Sequence, residues 1–91
     1  MKDSDIEQAK EVLIIDVLER LSIPYDFVGG QAKIICPFHE EMNKSMVVYD
    51  DGHYHCYGCS EHGDSIQFVR KFLGLSFQES VELLNMIGEG K

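Results

Sequence analysis

Two short cysteine-bearing segments constrain this chain more than any other feature. Cys36-Pro37-Phe38-His39 and Cys56-Tyr57-Gly58-Cys59 each carry two metal-ligating side chains with two residues between them, and sixteen residues separate the pairs. Three thiolates and one imidazole complete the tetrahedral set of a closed structural zinc site. Two intervening residues let a tight turn aim both side chains at one ion while backbone N–H groups point at the sulfurs. Gly58 is expected to supply the permissive backbone of the second turn. The candidate ligands are therefore Cys36, His39, Cys56 and Cys59, and the expected cofactor is one structural Zn2+.

The same residues have other possible uses. Cys56-x-x-Cys59 alone would suit a thiol redox pair, but a redox pair has no need of a second Cys-x-x-His. The plainest alternative is a set of small buried residues with a satisfied core histidine. His62, three residues after Cys59, competes as fourth ligand, although it would leave His39 unused in a well-formed turn. A catalytic zinc keeps a position open for water, and four good protein ligands argue against a hydrolase.

Size makes a metal valuable. The chain has 91 residues, with its three cysteines and four histidines all between positions 36 and 62. A single domain of this length buries only about 60–65% of the surface its unfolded form exposes. A structural zinc contributes about 10–16 kcal/mol of apparent binding free energy, which becomes folding free energy. Clustered Cys and His without a signal peptide, and no apolar run of membrane-spanning length, point to a reducing cytoplasmic setting and no membrane partner.

The remaining pattern reads helix, sheet, helix within a single domain, residues 1–91. Residues 4–21 carry apolar positions at helical spacing (Ile6, Ala9, Leu13, Val17, Leu21), with Ser4/Glu7 as a capping box and Asp16/Glu19 as a second box where the helix could restart. Two hairpins are expected over residues 25–59. One turns at Gly29-Gly30; the other turns at Asp50-Asp51-Gly52, between Ser45–Tyr49 and His53–Cys56. They make a three- to four-stranded antiparallel sheet. Residues 64–87 are again helical, opening at Asp64, breaking at Gly74 and restarting at a Ser76/Glu79 box; the residues after Ile87 are expected to fray. The fold class is α+β, a zinc ribbon on a small sheet with flanking helices.

Charge narrows the function. The net charge is −8, with 16 acidic against 8 basic residues, and neither half of the chain is basic. That excludes a domain that grips nucleic acid by bulk electrostatics. Local contacts remain open. Lys44, Arg70 and Lys71 lie near Tyr54 and Tyr57, and bases beside exposed rings are what a single-strand binder uses. His53 and His55 alternate along one strand and share a face, either as a solvated polar surface or as ligand contacts. Arg70-Lys71 also suit a solvated helix face, and Phe38 suits the core.

These residues together resemble the N-terminal zinc-binding domain of bacterial and phage DNA primases of the DnaG type. The resemblance rests on Cys36-Pro37-Phe38-His39, Ser45-Met46, Tyr54-His55-Cys56-Tyr57-Gly58-Cys59, His62-Gly63-Asp64 and Ile66-Gln67-Phe68. It extends to Ile14-Ile15-Asp16-Val17 before the finger and Leu75–Val81 after it. It implies the same four zinc ligands. It also implies a role in DNA replication, contacting single-stranded template and helping to choose where priming starts, beside a separate polymerising domain. The chain departs from the pattern at Met42, where the family often has Lys, and at Lys44, where it often has Pro, so Lys44 is the candidate replacement base. The nucleic-acid candidates are Lys44, His53, His55, Tyr57, Arg70 and Lys71. Asp3-Ser4-Asp5 is the one Asp-x-Asp and suits a helix start better than Mg2+ binding, so no primer synthesis is expected of this chain. The alternative reading is a stand-alone acidic zinc-ribbon adaptor from a phage or mobile element. Its partner would be a protein such as a helicase, another replication protein or a nuclease.

Overall fold

The structure, a computed structural model, describes residues 2–37 and 45–89. Phe38, His39, Met42 and Lys44 lie outside the described residues, as does Lys91. Among the described residues, four helices and five strands follow one another: α1 (Asp3–Lys10), α2 (Ile14–Arg20), β1 (Asp26–Val28), β2 (Gln31–Ile34), β3 (Met46–Val48), β4 (His53–Cys56), β5 (His62–Asp64), α3 (Ser65–Leu73) and α4 (Phe77–Glu89).

The expected first helix is two helices, and the break falls earlier than Asp16. Val12 and Ile14 are both buried, 7% and 0% exposed. Residues two apart lie about 200° apart around a helix, so no straight helix could bury both. Leu13 leaves the helical region (φ −75°, ψ 140°) and α2 restarts behind it. The start of α1 also differs from the Ser4 expectation: the helix begins at Asp3, and the Asp5 carboxylate accepts from the Lys2 N–H at 3.3 Å.

The later helix signals held. Asp64 caps α3 by accepting from the Gln67 N–H at 2.9 Å, and Gly74 ends it at φ 68°, in the left-handed region that glycine enters without a Cβ penalty. Before α4, the Ser76 hydroxyl accepts from the Glu79 N–H at 3.1 Å, and the Glu79 carboxylate accepts from the Ser76 N–H at 3.0 Å. This reciprocal box holds the Glu79 carboxyl below its usual range, chiefly through the Ser76 backbone. The helix runs on through Gly88 to Glu89, past the expected fraying point.

The sheet is an antiparallel meander in the order β1-β2-β3-β4-β5. It has one strand more than the expected three or four. The extra strand is His62-Gly63-Asp64, which pairs with His53–His55. Three residues with no apolar alternation carry no strand signal; they form a strand because β4 offers a free edge. The sheet therefore runs to residue 64 rather than 59.

One face of the sheet is buried. Ala32, Val48 and Tyr54 lie in one row and Ile34, Met46 and Cys56 in the next, all 2% exposed or less. The helices pack on that side, with α4 touching α1, α2 and α3, and α3 reaching β4 and β5. Tyr54 meets Phe68 of α3 edge to face, ring centroids 5.5 Å apart. The buried Ser65 hydroxyl donates to the Ala9 carbonyl at 3.1 Å, tying α3 to α1. These contacts belong to one continuous core. Among the described residues, no helix is long and apolar enough to cross a membrane.

Candidate metal centre

Three of the four expected ligands are described, and the fold gathers them. Cys36 follows the end of β2, Cys56 is the last residue of β4, and Cys59 lies in the turn beyond it. Register brings the first two together, because Met46 of β3 pairs with both Ile34 and Cys56. The turn is held by its backbone: the Ser60 N–H donates to the Cys56 carbonyl at 2.8 Å, the Cys56 N–H to Glu61 at 2.7 Å, and the Tyr57 N–H to Ser45 at 2.9 Å. Ser60, rather than the expected Gly58, takes the left-handed conformation here, at φ 66°.

The three Sγ atoms lie within 4.8 Å of one another, and Cys36 Sγ is 3.9 Å from Cys59 Sγ. Thiolates about 2.3 Å from a shared tetrahedral zinc stand about 3.8 Å apart, whereas a disulfide would bring them to about 2.05 Å. The spacing and the donor set therefore fit zinc. The three cysteines form no disulfide among the described residues; Cys36 and Cys56 are buried and Cys59 is exposed.

The surroundings favour thiolate. Burial pushes the Cys56 thiol up. Hydrogen bonds from the Ser45 hydroxyl, the Cys59 and Gly58 backbone and Cys36 outweigh it and bring the thiol down to about 7. Ser45 Oγ stands 3.6 Å from Cys56 Sγ. Ser45 precedes Met46, the residue in register with Cys56, and nothing in the sequence marks it for this role.

His39, the fourth expected ligand, lies outside the described residues. His62, its competitor, is on β5 with Nδ1 3.0 Å from the Ser60 carbonyl, and it does not join the described thiol cluster.

The face of the sheet away from the helices carries some of the other candidates. His53 and His55 share it, as strand alternation required. His53 is exposed, with Nδ1 3.2 Å from the Asp51 carboxylate. His55 stands between the rings of Tyr57, at 4.5 Å, and His62, at 5.9 Å. Tyr57 is 68% exposed, and its hydroxyl meets that of Tyr49 at 2.8 Å. Mutual hydrogen bonding, above all, pushes the Tyr49 hydroxyl up. Lys33, paired in register with Val47 beside His55, is exposed on the same face. Tyr49, His62 and Lys33 were not singled out from sequence for this surface; β5 and the sheet register put them there.

Tyr54 is a correction. Sequence grouped it with the exposed rings, but it is 1% exposed in the core. Its position between His53 and His55 already required the opposite face. Burial, together with Glu61 and Asp64, pushes its hydroxyl well up. Arg70 and Lys71 are exposed, but they ride on α3, on the helix-covered side. Lys71 pairs with Glu61 at the β5 edge. The fold does not bring them onto the histidine and tyrosine face.

Thiols gathered at the strand ends of an antiparallel meander, with helices over one face, define a zinc ribbon of the α+β class. The chain belongs to the CHC2 zinc-finger family, whose model matches residues 1–89. Relatives include the DNA primase of Mycolicibacterium smegmatis, 49% identical over 84 residues, which are 90% of this chain and 13% of the relative. That of Thermotoga maritima is 40% identical over 82 residues, 87% of this chain and 14% of the relative. The crystal structure of the Aquifex aeolicus primase, comprising zinc-binding and RNA polymerase domains, aligns over 92% of this chain and 21% of that one, with TM-score 0.78 and 29% identity. The chain thus spans about a tenth to a seventh of the length of the curated relatives it matches. It is a zinc ribbon of the DNA-primase type, and structural zinc is its cofactor.

Proposed function

We propose that residues 1–91 act as one zinc-binding domain that contacts single-stranded template during primer initiation in the cytoplasm. Zinc would be held by Cys36, His39, Cys56 and Cys59, and it supplies structural cross-linking rather than chemistry. The observation that carries the reading is the exposed ring surface beside the thiol cluster, with His55 and His62 on adjoining strands and Tyr57 just past the end of β4. Bases stack on such rings regardless of sequence, each stack contributing about 1–3 kcal/mol. Lys33 would meet a phosphate on the same face, and His53 lies at its margin. Lys44 remains a candidate base. Arg70 and Lys71 would reach only a strand that passes around the β5 edge.

In this reading the domain polymerises nothing. Asp3 and Asp5 serve the first turn of α1, and primer synthesis belongs to a separate polymerising domain. The net charge of −8 favours a weak strand contact helped by that domain or by a helicase. Fluorescence anisotropy with a labelled single-stranded oligonucleotide at low salt tests the proposal. The zinc-loaded protein should bind, Tyr57→Ala should weaken binding about tenfold, and Arg70→Ala should change it little. Absence of binding at low salt would overturn the proposal in favour of an adaptor that meets only protein partners.

A further inference from the structure

Tyr49 follows the end of β3 and Tyr57 the end of β4, so they stand at opposite ends of one hairpin. The Tyr49 N–H donates to the His53 carbonyl at 2.9 Å, and the Tyr57 N–H donates to the Ser45 carbonyl at 2.9 Å. These bonds seat each tyrosine opposite the other strand. Tyr57 is thus level with Ser45, four residues from Tyr49, which is about 13 Å along the strands. Side chains standing straight off the sheet would not meet across that distance, yet the two hydroxyls meet at 2.8 Å.

Each ring therefore leans inward along the sheet, over Val47 and His55, which pair in register between them. Two observations agree. The Tyr57 ring lies 4.5 Å from that of His55. Val47 is 7% exposed although it faces away from the helices, so side chains of its own face cover it. The same lean leaves Tyr57 open to solvent, at 68% exposed, while Tyr49 is half-buried. An open side chain loses rotamer freedom when a ligand settles on it, and that loss lowers affinity. A ring already tethered at its hydroxyl has lost the freedom beforehand.

We propose that Tyr49 is a positioning residue for strand binding: its hydroxyl holds the Tyr57 ring leaning over the sheet, with one face presented before a base arrives. The proposal rests on the reading of Tyr57 as a stacking ring. Tyr49 acts only through Tyr57 and touches no base. The tether needs the two hydroxyls, so Phe at either position removes it and keeps the aromatic surface.

The test is a cycle of Tyr49→Phe, Tyr57→Phe and the double variant, each zinc-loaded and titrated at low salt against fluorescein-labelled oligothymidylate. Each single variant should weaken binding about three- to tenfold. The double variant should bind no worse than either, because all three lack the same bond. In the strand-free protein, three-bond couplings to Tyr57 Cγ should report one χ1 rotamer for the parent and rotamer averaging for Tyr49→Phe. A purely structural role for Tyr49 would instead lower the denaturation midpoint and leave the Tyr57 rotamer fixed. Tyr57→Ala separates the two readings. If it weakens binding while Tyr49→Phe leaves binding unchanged or tighter, the positioning role alone is overturned. Additive losses in the double variant, or a Tyr57 rotamer that stays fixed in Tyr49→Phe, would overturn it as well. If Tyr57→Ala binds as tightly as the parent, the stacking reading fails and the positioning role fails with it.

Discussion

At the scale of single residues, the thiol cluster shows how neighbours prepare a ligand. Cys56 is buried, which alone would hold its proton on. The Ser45 hydroxyl and the backbone N–H groups of the Cys56–Cys59 turn favour the charged form more strongly and bring the thiol down to about 7. A depressed thiol contributes stability that is present above its unfolded value and is lost as pH falls through the folded value. Metal binding pushes in the same direction, because protons compete with zinc for every thiolate. Zinc release, followed with a colorimetric chelator during an acid titration, should therefore rise as pH falls and be absent at pH 8. Ser45→Ala, which removes one donor to Cys56, should move the release midpoint to higher pH. An unchanged midpoint would show that Ser45 does not support the thiolate.

Residue-scale reading also explains which candidates sequence could place. Cys56 and Cys59 were legible because ligand spacing is a local property. Tyr54 was legible in principle, since it alternates with His53 and His55, and its grouping with exposed rings overlooked that alternation. Ser60 was not legible: a serine at φ 66° leaves no compositional mark, whereas the neighbouring Gly58 drew attention.

At the scale of elements, caps and turns explain what was read correctly. Asp64 with Gln67, Gly74, and Ser76 with Glu79 all act within four residues, so the chain itself states them. Strand β5 is the opposite case. His62-Gly63-Asp64 becomes a strand only because β4 stands beside it. Gly63 is needed there for space. A Cβ at this position would come within 2.9 Å of Gln67 Cγ and 3.0 Å of Gln67 Cβ, with the Tyr54 hydroxyl at 3.4 Å. Gly63→Ala should therefore destabilise the domain by about 1–3 kcal/mol, read as a lower denaturation midpoint of the zinc-loaded protein. Hydrogen exchange should accelerate first at His62 and Asp64. A midpoint equal to that of the parent would show that β5 and α3 separate freely.

At the scale of the whole molecule, the sheet is held from both ends. The helices cover its inner face from β2 to β5, and the thiols join the ends of β2 and β4 with the turn beyond. The helical layer has its own buried contacts around α4, including Val81, Leu84 and Ile87, while the strands are only three or four residues long. Removing zinc with a chelator should therefore cost the sheet more than the helices. Far-ultraviolet circular dichroism should retain helical signal, while amide dispersion from Met46–Cys56 collapses. Full retention of that dispersion after chelation would show that the core alone carries the sheet.

The sequence by itself determined the metal chemistry, the α+β class, the family resemblance, both ends of α3 and the start of α4. Each of these depends on residue types a few positions apart, or on motifs read in order. Tertiary structure decided the rest: the break at Leu13, the fifth strand, the burial of Tyr54, the joining of Tyr49 to Tyr57, and the separation of Arg70 and Lys71 from the ring face. These depend on which surfaces meet. Burial of Val12 and Ile14 together, or pairing of His62 with His55, is enforced by elements distant in the chain, and no local pattern encodes that contact.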